Sequence, residues 1–163
     1  MAGTRPPEGA CEEAPSEAGQ VVILLDTDHI SILKYREHPR CVRLNERLAA
    51  AATTEALATT IVSAEEQFRG WMAEIHRERD FHIQTTHYEK LAKMLSFFAG
   101  WQAELFDADA VDGLMRLRQS RIRIGTQDLK IAAIAISRDA LLLSANPRDF
   151  QRVPGLRVEN WLE

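Results

Sequence analysis

The stretch IGTQDLKIAAIAISRDALLLSANPRDF, residues 124–150, constrains this chain more than any other. Leu129 and the run 131–136 are apolar around most of a helical circumference, so such a helix must be buried on nearly every side. Residues 140–143 follow almost at once as a short apolar run ending in Ser144-Ala145-Asn146-Pro147, the pattern of a strand covered on both faces in a parallel sheet. A buried helix feeding a buried strand demands further layers around both. Thr126 is placed to cap the helix through its hydroxyl. Asp128 then falls in the first helical turn and Asp149 in the loop beyond the strand. In α/β folds both positions border the edge where ligands bind.

The rest of the chain repeats the alternation. Residues 21–25 form an apolar run ending in Asp26-Thr27-Asp28-His29, which predicts a first buried strand. Helical spacing follows, and Pro39 opens a second helical piece. Residues 56–62 read as the second strand, and Ser63-Ala64-Glu65-Glu66 as the start of the next helix. Asp80 breaks that pattern. Another apolar helix is expected over about 85–101, and Asp107 is expected to cap one running to about Ser120. Residues 156–158 give a last short strand. Strands separated by helices imply crossover connections and a mainly parallel central sheet flanked by helices, a three-layer α/β domain. Two helices are inserted in its middle. Residues 1–20, rich in Pro, Gly, Ala and Glu without periodicity, read as a disordered polar head, and 21–163 as one domain.

Composition narrows the function classes. No apolar run approaches the ~20 residues that cross a membrane, and no secretory signal is visible, so a cytoplasmic protein is expected. Cys11 and Cys41 are isolated and make no metal pattern. The net charge is −4, but residues 1–20 set Arg5 against Glu8, Glu12, Glu13 and Glu17, leaving 19 basic and 20 acidic residues in the rest. A nearly neutral domain does not advertise nucleic-acid binding. Divalent cations held by an acid cluster would turn its balance positive. Arg116, Arg118, Arg121 and Arg123 crowd the approach to the 126–136 helix, either as solvated surface or as phosphate contacts. There is no phosphate loop, dinucleotide fingerprint, nucleophile elbow or HExxH motif.

Four acids share one structural address. Asp26 follows the first strand, Glu66 opens the helix after the second, Asp149 follows the 140–143 strand, and Asp128 starts the helix preceding it. Converging carboxylates without nearby lysines repel, and are tolerated mainly around a cation. An all-oxygen site suits Mg2+ or Mn2+. Each acid also has a plain structural reading: Asp26 or Asp28 as an N-cap, Glu66 as the closing member of a Ser63-x-x-Glu66 capping box, Asp128 as a first-turn acid, Asp149 as a turn residue. Their joint placement at one edge favours a site. By the same logic Asp139, which precedes its strand, lies at the opposite pole and is expected to be inert.

LLDTDHIS, SAEEQFRGW, IGTQDLKIAAIA and LLLSANPRDFQRVPGLRVENW together resemble the PIN domain, most closely the VapC-type toxins of bacterial toxin–antitoxin pairs, over residues 21–163. The resemblance implies a metal-dependent endoribonuclease that leaves a 5′-phosphate and a 3′-hydroxyl. It carries the family's four acids onto Asp26, Glu66 (four before Gly70, rather than the adjacent Glu65), Asp128 and Asp149. Thr27 and Asn146 fall where the family has supporting polar residues. It further implies RNA as substrate, a cognate antitoxin covering the site, and a homodimer. Two rivals remain at this stage: a non-catalytic PIN-like module binding RNA or a partner, and a haloacid-dehalogenase-like phosphatase suggested by Asp26-Thr27-Asp28. The phosphatase motif lacks the later lysine and acid pair it would need.

Overall fold

The apolar run after residue 21 alternates its faces, and that alternation builds the layers. The computed structural model describes residues 21–163. In β1 (Val22–Leu25), Leu24 enters one core while Ile23 and Leu25 enter the other. Side chains two apart share a face, so a strand of four apolar residues must be covered on both sides. One cover is α6 (Thr126–Ser137), where Ile131, Ala132, Ala133, Ile134 and Ala135 are fully buried. α5 (Ala108–Gln119) packs outside it, with Gly113 facing Ala133. The other cover is built from α1 (Thr27–Ile32) and α2 (Pro39–Ala51), which contribute Ile30, Leu44 and Leu48 beside Trp161 and Leu162.

The remaining elements are β2 (Ala56–Thr60), α3 (Ile61–Arg77), α4 (Phe81–Ala99), β3 (Ala103–Glu104), β4 (Leu141–Leu143), α7 (Pro147–Phe150) and β5 (Arg157–Glu159). The sheet runs β3-β2-β1-β4-β5, and all four pairings are parallel. This is the expected mainly parallel, three-layer α/β architecture, with α3 and α4 as the inserted pair. All C-terminal strand ends therefore point to one edge. The register aligns Leu25 with Leu143, so the residues that follow, Asp26 and Ser144, emerge side by side.

Several local expectations are corrected. α6 is capped by Gly125 and not by Thr126, which is its first helical residue and makes no side-chain cap bond. α4 starts earlier than expected because Asp80, which interrupts one helix, caps the next by accepting from the His82 amide at 2.8 Å. β3 has two residues and no periodicity to announce it. Asp149 lies in the single-turn helix α7, not in open loop. Pro39 does open α2, and Asp107 does cap α5 by accepting from the Ala110 amide. Asp139 sits with φ 47° in the turn before β4 and pairs with Arg157. Cys41 is a buried free thiol, whereas Cys11 and the expected disorder of 1–20 lie outside the described residues. Among the described residues no helix is long and apolar enough to cross a membrane.

Candidate active site

Asp26 is the deepest of the four acids. It follows β1 directly, its amide donates to the Leu143 carbonyl at 2.9 Å, and it is 6% exposed. One carboxylate oxygen accepts from the Thr27 amide at 2.6 Å, so Asp26 is indeed the N-cap of α1. The other accepts from the Ser144 hydroxyl at 2.8 Å. Burial pushes its pKa up to about 6, against the pull of the Ser144 and Thr27 hydrogen bonds, and the charges of Asp28 and Asp128 add to the rise. The cap and the candidate site residue are one carboxylate.

Glu66 enters from α3. The capping-box reading of this residue is wrong: α3 begins at Ile61 and is capped by Thr60, whose hydroxyl accepts from the Ser63 amide at 3.0 Å. Glu66 thus sits well inside the helix, and its carboxylate accepts from the Thr27 hydroxyl at 2.6 Å. Glu65 points elsewhere, to Arg69 at 3.4 Å and the Gln127 amide at 2.7 Å.

Asp128 is half-buried in the first turn of α6. Its pKa is raised by burial first, then by the charges of Glu66 and Asp149, against a hydrogen bond from the Gly125 backbone. A Cβ at position 125 would lie 3.1 Å from an Asp128 carboxylate oxygen, so glycine there lets the backbone come close. Asp149, on α7, accepts from the Asn146 side-chain amide at 2.7 Å. The charge of Asp128 reaches Asp26, and those of Glu66 and Asp149 reach Asp128, so the acids share one electrostatic neighbourhood.

The four acids therefore share an edge, and three of them are held by neutral donors: Ser144 and Thr27 for Asp26, Thr27 for Glu66, and Asn146 for Asp149. Among the described residues, the six ion pairs engage Glu65, Glu74, Glu104, Asp107, Asp139 and Glu159, and none engages these four. The donor set is carboxylate oxygen without thiol or imidazole, which fits a hard divalent cation. Among the described residues no three such side chains stand close enough to share one ion as placed.

Thr27 donates its hydroxyl to Glu66, and Asn146 its side-chain amide to Asp149. Ser144 does not follow from any sequence motif. Its hydroxyl donates to Asp26 and accepts the Asn146 amide at 3.1 Å, linking the ends of β1 and β4. The signal was the parallel register itself, which sets the first polar residue after each apolar run beside its neighbour. A second unforeseen chain steadies α1 on α3: Lys34 donates to the Gln67 side-chain oxygen and Gln67 donates to the Ser31 hydroxyl, both at 2.7 Å.

No protein-family model matches the chain. It is similar to ribonuclease VapC2 of Rickettsia felis, at 32% identity over 147 residues covering 86% of this chain and 98% of that protein. Its fold resembles the crystal structure of DNA-bound VapBC from Salmonella typhimurium, with a TM-score of 0.68, 20% identity, and 87% and 99% of the two chains covered. It also resembles VapBC2 from Rickettsia felis bound to a promoter DNA fragment, with a TM-score of 0.64, 21% identity, and 86% and 99% coverage. With a third of its residues shared across nearly the whole length of a VapC ribonuclease, on the same layered fold, this chain belongs to the VapC ribonuclease family.

Proposed function

We propose that this chain is an endoribonuclease, the toxin of a toxin–antitoxin pair, and that Asp26, Glu66, Asp128 and Asp149 hold one or two Mg2+ or Mn2+ ions beside the scissile phosphate. The observation that carries the reading is the company of the acids: neutral donors orient Asp26, Glu66 and Asp149, Asp128 stands among their charges, and no lysine or arginine of the described residues pairs with any of the four. A bound ion supplies the missing positive charge, a water of lowered pKa, and stabilisation of the departing oxygen. The protein supplies position. Ser144 and the Thr27 amide fix Asp26, and the Thr27 hydroxyl ties Glu66 to the same corner. Thr27 engages only one oxygen of Glu66, and Asn146 only one of Asp149, which leaves the second oxygen of each for an ion. No protein nucleophile is needed.

The arginines serve the substrate in this reading. Arg116 and Arg118 in the last turn of α5 and Arg121 and Arg123 in the loop before Asp128 are exposed, and Arg152, after α7, donates to the Arg123 carbonyl at 3.4 Å. Guanidinium groups so arranged suit the RNA backbone. The likeness to VapBC complexes supports a cognate antitoxin and a homodimer as partners. Met72, Phe81, Ile83, Tyr88 and Leu95 keep apolar surface exposed on α3 and α4, as a polypeptide interface requires. We place the protein in the cytoplasm, with 21–163 as the PIN domain and 1–20 as a polar head. The test is cleavage of a mixed single-stranded RNA pool with Mn2+, with Mg2+ and with chelator. Cation-dependent internal cleavage that Asp128→Asn abolishes is expected. Cleavage indifferent to chelator, or equal in Asp128→Asn, overturns the reading.

A further inference from the structure

α3 carries Glu66 on the face that also bears Gly70 and Glu74, with Trp71 beside them, because residues four apart stack along one side of a helix. α4 answers with His87 and Lys90. Between them lies an open cavity of about 480 Å3, whose lining begins at Glu66 and so continues directly from the acidic edge. The Trp71 and His87 rings have centroids 6.3 Å apart, tilted by 45°. Lys90 Nζ lies 5.3 Å from the Trp71 ring centre. His87 Nδ1 is sealed from solvent and has no hydrogen-bond partner among the described residues. A Cβ built on Gly70 meets nothing within 4 Å, so the glycine keeps the cavity floor open and no packing demands it.

We propose that this cavity receives one unpaired base of the RNA, next to the scissile phosphate, and sets which base stands there. The inference rests on the ribonuclease reading of the acidic edge. A flat aromatic pair suits a base face, since an unstacked base regains its stacking on tryptophan or histidine. Glu74, at the end of the lining away from the acidic edge, repels a phosphate but accepts hydrogen bonds from base edges, which turns the base inward and the backbone outward. Lys90 rests where the base stacks. An exposed cation–π contact is weak enough to be exchanged for a phosphate oxygen of the entering strand. Glu66 and Gly70 are four residues apart, about 6 Å along the helix, so a base over Gly70 keeps its own phosphate near the acids. Gln67, pinned between Lys34 and Ser31, holds that part of α3 still.

The experiment uses a single-stranded RNA cut by the parent, with one abasic nucleotide moved through the positions around the cut. One abasic position flanking the cut should lower kcat/KM about ten- to hundredfold. Trp71→Ala and Gly70→Leu should slow the intact RNA by a similar factor and lose their response to that abasic position. Gly70→Leu sets its Cβ in open space on the cavity floor and improves helix propensity, so a retained or raised melting temperature confirms its fold. Equal abasic sensitivity in parent and variants overturns the proposal. So does a Gly70→Leu protein that cleaves normally but no longer binds a co-expressed antitoxin, which assigns the cavity to a polypeptide. Binding of intact and abasic RNA to Asp128→Asn protein is measured alongside. Discrimination there that Trp71→Ala removes supports the pocket even if no protein cleaves RNA, whereas cleavage without discrimination sinks the pocket and leaves the ribonuclease standing.

Discussion

At the C-terminal end of α6, Arg138 donates to Glu104 at 2.9 Å and also to Asp107. At the other end, about 18 Å away over 12 residues, Asp128 faces Glu66 and Asp149 with no cation beside it. The helix dipole favours both ends as they stand, acid at the N-terminus and base at the C-terminus. What differs is the company of the carboxylates. Arg138 holds Asp107 below the usual carboxylate range, while burial and like charge raise Asp128. The carboxylates at the C-terminal end of α6 share a guanidinium. Those at the acidic edge arrive with hydroxyls and amides, which orient a charge without cancelling it.

The largest effect should come from removing a charge at the uncompensated end. Asp128→Asn should lower RNA cleavage at least ~100-fold, the scale of losing one group that stabilises a developing charge. The metal-free protein should melt at the same temperature or higher, because the change relieves repulsion. Glu66→Gln should behave alike in cleavage assays, whereas Glu65→Gln, which faces Arg69 and Gln127, should stay within about threefold of the parent. A dead Glu65→Gln beside an active Glu66→Gln would reverse the orientation of that helix. Next in size is the support. Ser144→Ala removes the hydroxyl from Asp26 and should cost about 10–100-fold in cleavage or cation affinity, as loss of an orienting partner does. An unchanged rate would show that the Thr27 amide alone suffices.

At the compensated end the effect should move from activity to stability. Arg138→Met removes the charged partner of the half-buried Glu104, leaving one of its oxygens without a donor while Gln102 keeps the other, and should cost about 1–3 kcal/mol. Denaturant melts check this, and specific cleavage by the folded fraction should be unchanged. The pH dependence then separates the ends. Asp107 is depressed in the fold, so its contribution is present above the unfolded pKa near 4 and fades as pH falls through the folded value. The deficit of Arg138→Met should shrink on acidification. Asp128 is raised, so the penalty that Asp128→Asn relieves is present at neutral pH and disappears as the parent protonates on acidification. Parallel pH trends for the two variants would contradict the contrast.

Much of this was legible in the chain. The run 131–136 and the apolar run 21–25 required a layered parallel sheet, and the first acids after apolar runs fell on one edge. The details that escaped were those governed by tertiary contact. β3 exists because two residues meet the edge of β2, not because of any pattern of their own. The start of α3 moved to Thr60, since a threonine ending a strand caps as well as the serine three residues later. Ser144 matters only through a register that no local motif encodes. The split between Glu65 and Glu66 rested on resemblance in the sequence, and the side-chain partners now separate the two acids independently.

The account turns on whether the four acids are a cation site, and one measurement addresses it without RNA. Thermal melts of the parent and of Asp128→Asn are followed as Mn2+ is titrated into chelator-treated protein. An ion that binds only the folded state raises its stability by about 2.7 kcal/mol at a hundredfold excess over Kd. The parent should gain a saturating rise in melting temperature of that origin, and Asp128→Asn should lose most of it while starting from an equal or higher metal-free value. A full Mn2+ shift retained in Asp128→Asn, or no shift in a folded parent, would contradict the assignment of the acidic edge.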